Sequence, residues 1–331
     1  MPTKYYDPSL STGDDDGSTE ANAWRTLQKA ADTAVAGDKV LCKYNATPEA
    51  VGADVDFDTN SGAQNNPIEF VGVNGSWVED GTQCTIDGEQ TANYVIEATT
   101  SAKFLVFRNM RAINAARNGF WMNGSDSVLL YNCTAEGALW HGFAGGSSST
   151  SGCVLINCRS INNLDSGFYR WSRATFIRCA AINNGSSPSY EGAGISCISE
   201  IQIVNCVVHN NGVNGVYFPA DIQGGGVIVN SVIDGNTGNG VEIGSVPGVV
   251  ISGCRITNNT GWGVNHAGGT AAYDHNVIVD NLSGTVTSST GFLFDGGGNI
   301  TTGAAGYVDR DNDNFTTATD AQLRREAVTI G

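Results

Sequence analysis

The residues best suited to chemistry in this 331-residue chain are carboxylates that alternate with aromatic rings. Glu191, Asp221 and Glu242 fall near Trp121, Trp140, Tyr169, Tyr190 and Tyr217. Glycosidic-bond hydrolysis needs two carboxyl groups ~5–9.5 Å apart, one of them keeping its proton near neutrality. Aromatic faces suit the C–H faces of sugar rings and regain the ~1.5–3 kcal/mol that an exposed ring forfeits to water. Asp165, Arg170 and Trp171 lie in the same loops, and His141, alone in its loop, reads as a hydrogen bonder. Elimination chemistry fits less well. A lyase needs positive charge to neutralise a uronate, and Lys103 is the only lysine after Lys43. Asp309, Asp311, Asp313 and Asp320 have the acidic spacing of a calcium loop but lack its glycine at position six and a preceding helix, so a solvated turn is the first reading and calcium the second.

These groups must be positioned by a repeat. Asn109-Met110, Asn132-Cys133, Asn157-Cys158, Asn205-Cys206, Asn230-Ser231 and Gly253-Cys254 are each followed, nine residues after the second member, by a glycine and a hydrophobic residue. Arg178-Cys179 and His275-Asn276 stretch the offset to fifteen, reaching Gly194 and Gly291. The glycines at 119, 142, 167, 194, 215, 240, 263 and 291 step by 21 to 28 residues, the signature of a stacked array. Apolar runs of three to five residues between Asn, Gly and Ser are strands. One unit cannot close a core, so each must stack on the next. The expected fold is an all-β parallel β-helix of about 10–11 coils.

The residues two before the Asn (Leu130, Leu155, Phe176, Ile203, Ile228, Ile251, Tyr273) and one after it (Cys133, Cys158, Cys179, Cys206, Ser231, Cys254, Asn276) form inward columns. The Asn between them turns the chain in a left-handed conformation and stacks its amide. The second residue after each glycine points outward, giving a row Trp121, Ala144, Tyr169, Ser196, Tyr217, Glu242, Asn265 and Leu293. Residues 1–39 read as a polar lead and a capping helix with Trp24, Leu27, Ala31, Ala34 and Val35 on one face, started by Ser18 or Thr19. Residues 40–298 form the solenoid, and 299–331 form a cap with a helix near 319–327 and a closing strand.

This order of Asn turn, strand, variable loop and Gly-hydrophobic strand resembles the right-handed parallel β-helix of the pectin-lyase-like superfamily, over roughly residues 40–300. Trp24–Ala31 and Ala36–Val40 resemble the opening segment of many such proteins. The resemblance implies the fold, since the superfamily holds lyases, hydrolases, epimerases and non-catalytic virion proteins. The polygalacturonase motifs are absent from the coils, and His141-Gly142 is a fragment of one.

Composition narrows the partners. Net charge of −16 opposes binding to nucleic acid and to acidic polysaccharides. No run of 18 apolar residues and no basic-then-apolar leader occurs, so neither membrane insertion nor a signal peptide is expected. The cysteine count is odd, and spacings of 25, 21, 27 and 48 residues match no metal motif, so reduced core thiols are expected, as in a cytoplasm. These features resemble structural proteins of tailed bacteriophages. The resemblance implies a non-catalytic virion surface protein of decoration, fibre or spike type, made in the host cytoplasm and homotrimeric. It would contact other virion proteins and adhere through the solenoid face to host surface polysaccharide. The alternative is a polysaccharide-degrading hydrolase or lyase binding along the Trp121–Tyr169–Tyr217 strip, with Glu191 or Asp221 and Glu242 as acid and base and no resident cofactor.

Overall fold

The computed structural model describes residues 1–99, 101–146, 152–186, 192–220, 224–289 and 292–302, and the backbone of two short strands, Tyr307–Asp309 and Asn314–Thr317. The chain winds into a parallel β-solenoid whose coils each contribute to three faces. On the first face Leu130, Leu155, Phe176, Ile203, Ile228, Ile251 and Tyr273 stack in register from coil to coil. The second face is a ten-stranded sheet running from Glu49–Ala50 to Val277–Val279. On the third face Phe120, Phe143, Phe168, Ile195, Val216, Val241, Val264 and Val286 form an inward column. Phe120, Phe143 and Phe168 stack with ring centroids 4.6 and 5.1 Å apart. In the later coils single strands, Val241–Ser252 and Trp262–Asp274, run across both the third and the first face.

The corners follow from backbone conformation. Asn109, Asn132, Asn157, Asn205 and Asn230 adopt φ between 50° and 55°, as do Arg178 and His275 where the Asn is replaced. The cysteines that follow are buried and unpaired. Burial pushes the Cys153 and Cys254 thiols up to about 11 and about 12, so at pH 8 they carry no thiolate. An Ellman assay of the native protein is therefore expected to label essentially none of the nine cysteines, and all of them after denaturation. Fast native labelling of Cys133 or Cys158 would contradict the interior column.

A second asparagine column was not expected. Asn163, Asn184, Asn211, Asn236, Asn259 and Asn281 lie inside the coils, and each of the first five donates its Nδ2 to the Oδ1 of the next at 2.8–3.1 Å. The backbone N–H of each of these five donates to the same oxygen. This column explains the repeated glycines. A Cβ on Gly142, Gly167, Gly194, Gly215, Gly240 or Gly263 would lie 2.7–2.9 Å from the Nδ2 of the ladder residue in the next coil. Close approach, rather than a left-handed φ, requires glycine there. The corner asparagines instead make a single amide link, Asn132 Nδ2 to Asn109 Oδ1 at 2.8 Å.

Both ends depart from expectation. Within the polar lead, Thr3–Tyr6 forms a strand that pairs with Lys39–Lys43 and begins the first face, burying Tyr6. Thr19 caps only a short 3₁₀ turn, Glu20–Asn22, while the α-helix Leu27–Thr33 is capped by Thr26, whose Oγ1 accepts from the Lys29 N–H. Trp24, Leu27, Ala31 and Ala34 are buried as expected, but Val35 is exposed. At the far end Phe292–Gly297 pairs with the first-face part of Trp262–Asp274, so Leu293 sits on the first face, over Ala271. The third-face row ends instead at Thr287, opposite Asn265. The offset after Asn276 is therefore nine, with Thr285 in the glycine position. The calls for a helix near 319–327 and a closing strand fall outside the described residues, as do Gly291, Asp311, Asp313 and Asp320, and Asp309 is described by its backbone alone.

Candidate functional site

The outward row of the third face runs over ten coils, Asp56, Glu97, Trp121, Ala144, Tyr169, Ser196, Tyr217, Glu242, Asn265 and Thr287, with a register shift just after Phe168. Strand alternation puts these residues outside, with Ile96, Phe120, Phe143 and Phe168 beside them inside. Ala144 and Ser196 are covered, which leaves Trp121, Tyr169 and Tyr217 as half-buried rings on alternate coils. At ~4.8 Å per coil, alternate rings stand ~10 Å apart, a spacing of two sugar residues in an extended glycan.

The most perturbed carboxyl in this row lies one coil before Trp121. Burial, reinforced by the charges of Asp54, Asp56 and Asp58, pushes the Glu97 carboxyl up to about 7. Two of those neighbours hold local backbone. Asp54 accepts the Tyr94 N–H at 2.9 Å, and Asp58 accepts the Thr99 N–H at 2.6 Å and the Thr99 hydroxyl. Asp56 is exposed and bridges Glu97 directly in register, so the two carboxylates project from adjacent coils, ~4.8 Å apart at the backbone. Beside them the Tyr94 and Trp121 rings stack at 5.2 Å and 12°, forming an aromatic wall.

The middle of the row is packed differently. Trp140 is partly exposed under the Arg117 guanidinium, 4.9 Å from its ring centre, and Arg170 lies 5.9 Å from the Tyr169 ring. His141 is not a surface hydrogen bonder: it is buried and stacked on Tyr169 at 3.7 Å. Burial holds its imidazole down at about 3, so it is neutral at physiological pH. Its Nδ1 makes no hydrogen bond and lies 3.8 Å from Asp165 Oδ2. Burial raises the Asp165 carboxyl, and the hydrogen bond from the Gly192 N–H partly offsets this.

Glu242 is on the row, one coil beyond Tyr217, and its Oε2 accepts from the Asn239 and Asn265 amides. Six coil steps, ~29 Å, separate it from Glu97, so these two cannot act on one bond. Glu191, Asp221 and Tyr190, expected beside it, fall outside the described residues. Trp121, Tyr169 and Tyr217 are thus brought into one line, and Glu97 and Asp56 were missed. Their signal was present in Asp54-x-Asp56-x-Asp58 and Tyr94-x-x-Glu97. Among the described residues no group of three or more His, Cys, Asp or Glu is arranged to hold a metal ion, and no helix is long and apolar enough to cross a membrane.

Known structures share this architecture. A pectate lyase, Pel9A, superposes with a TM-score of 0.61 at 17% identity, over 94% of this chain and 84% of that one. A rhamnogalacturonan lyase gives 0.61 at 15% identity, over 98% of each chain. The catalytic unit of the GH87 α-1,3-glucanase from Streptomyces thermodiastaticus strain HF3-3 gives 0.53 at 14%, over 90% of this chain and 67% of that one. At such identities the likeness is one of fold. No curated protein matches the sequence. The model of the family described as "Right handed beta helix region" matches residues 54–221 and 199–303, most of the solenoid described above, and the chain belongs to that family.

Proposed function

We propose that this protein is a glycan-cleaving hydrolase that lays a polysaccharide along the outward row of the third face and cuts it beside Trp121. The observation that carries this reading is Glu97, a carboxyl that keeps its proton to about pH 7, next in register to the exposed Asp56 and beside the Tyr94–Trp121 stack. Glu97 gives its proton to the leaving glycosidic oxygen. Asp56 attacks the anomeric carbon and forms a glycosyl ester. Water then breaks that ester, returning its proton to Glu97. The ~4.8 Å coil spacing favours this double displacement, whose two carboxyl groups stand ~5–5.5 Å apart, and hence retention at the anomeric carbon.

Elimination fits this point on the row poorly, because the groups around Glu97 are Asp54, Asp56 and Asp58, which repel a uronate. A neutral polysaccharide is the substrate class. The names of the fold neighbours, two lyases and a glucanase, support a polysaccharide-acting reading over the virion-surface one. Adhesion without cleavage is the second reading and would use the same rings.

Incubation with a panel of neutral and acidic polysaccharides separates these readings by reducing-end release. Release from a neutral glycan is expected. Trp121→Ala is expected to weaken binding of that glycan about tenfold, the loss of one stacked ring, with a modest fall in melting temperature because the Tyr94 stack is lost as well. Retention of a glycan with no release from any member of the panel would sink the hydrolase reading in favour of adhesion.

A further inference from the structure

We propose that the outward side of the first face is a two-fold interface between copies of this chain, in which the two solenoids lie antiparallel. Strand alternation points two columns outward there. One runs Val106, Leu129, Val154, Thr175, Gln202, Val227, Val250, Ala272 and Phe294. The other runs Arg108, Tyr131, Ile156, Ile177, Val204, Val229, Ser252 and Asp274, in the same registers.

Parallel strands that are apolar on both sides belong to sheets covered on both sides. The inner side of this one is the core, whereas Tyr131, Val227 and Val250 remain 36–37% exposed and Phe294 67%. The neighbours above and below in a stacked sheet already hide most of each side chain, so among the described residues this is an open face. The second face differs, since Arg111, Arg159 and Arg255 recur along its outward column.

The occupant follows from charge and area. A chain of net charge −16 repels its own copies except across a neutral seam, and between Arg108 and Asp274 both columns are uncharged. The two charges close opposite ends of one column, and its midpoint falls between Ile177 and Val204. A two-fold axis along the strand direction at that midpoint sets Ile177 on Val204, Ile156 on Val229, Tyr131 on Ser252 and Arg108 on Asp274 of the other copy. Eight coils at ~4.8 Å, ~15 Å wide, give about 580 Å² per copy and about 1,150 Å² in all, enough for a reversible dimer.

Sedimentation velocity of the full chain across about a hundredfold concentration range tests this. The expected result is a monomer–dimer equilibrium that Ile177→Lys weakens by at least about tenfold. Arg108→Glu alone and Asp274→Arg alone are each expected to weaken it about fivefold, and the double variant to restore it. Within one chain these positions are seven coils apart, ~34 Å, so rescue can arise only between chains. Circular dichroism spectra at 25 °C, unchanged among the variants, confirm folding, although Arg108→Glu lowers the melting temperature by losing its contacts with Glu69 and Tyr131. A wild-type monomer throughout, a dimer indifferent to Ile177→Lys, a parallel trimer, or a double variant no better than the singles would each overturn the proposal.

Discussion

Glu97→Gln is expected to lower kcat for glycan hydrolysis by about 10²–10⁴-fold, the range lost when a general acid is removed, while leaving KM nearly unchanged. The same change should stabilise the protein at pH 8. The folded Glu97 holds its proton to about 7, against 4.5 for an unperturbed glutamate. Between those values the folded state binds more protons than the unfolded one, so its contribution to stability falls as pH rises through that window and is fully unfavourable above it. Glutamine removes the buried charge, so the melting temperature should rise relative to wild type at pH 8 and match it near pH 4. A residue kept only for packing would show the reverse at pH 8. Paired kinetics and melting curves at the two pH values check both halves of the expectation.

Asn211→Leu is expected to cause the largest loss of stability among single substitutions in the coils. Asn211 Oδ1 accepts from the backbone N–H and the side-chain amide of Asn184, both at 3.1 Å, and its Nδ2 donates to Ala181 O and Asn236 Oδ1. All three asparagines are buried, so leucine strands donors and acceptors where water cannot replace the lost bonds. At about 1–3 kcal/mol for each stranded group, the total is about 3–6 kcal/mol. Leucine also branches at the position that presses on Gly194, where even a Cβ has no room. The denaturation midpoint should fall well below that of Asn210→Leu, a change at an exposed neighbour whose Nδ2 donates to Asn183 Oδ1. Equal midpoints for the two variants would mean that the ladder does not hold the coils together.

How far the sequence reveals this depends on which physical constraint wrote each pattern. Corner asparagines and inward cysteines stand out because every coil needs a left-handed turn followed by a small buried side chain. The aromatic row was legible for the same reason, two residues after each glycine. The amide ladder was written just as plainly in Asn162-Asn163, Asn183-Asn184, Asn210-Asn211 and Asn258-Asn259. Such pairs look like ordinary turns until the first member is seen to be left-handed and the second to point inward.

Two failures have clear causes. Thr285 replaces glycine in the last coil of the row, where no further ladder residue is described to press on it, so the glycine spacing points past it to Gly291. Glu97 was hidden because the early coils carry long loops: Asp56 and Glu97 are adjacent in space but 41 residues apart, against 24 from Glu97 to Trp121. The open apolar face was missed although Tyr131, Ile156, Ile177, Val204 and Val229 each sit one residue before the corner.

The most direct test of the hydrolase reading is the pH dependence of kcat/KM on the released-sugar assay, because it reports the free enzyme's essential acid. Activity should fall above a midpoint near pH 7, where Glu97 loses its proton. That basic limb should disappear from the residual activity of Glu97→Gln. A rate that holds undiminished to pH 9, or the same limb surviving in the variant, would contradict the assignment of Glu97 as the proton donor.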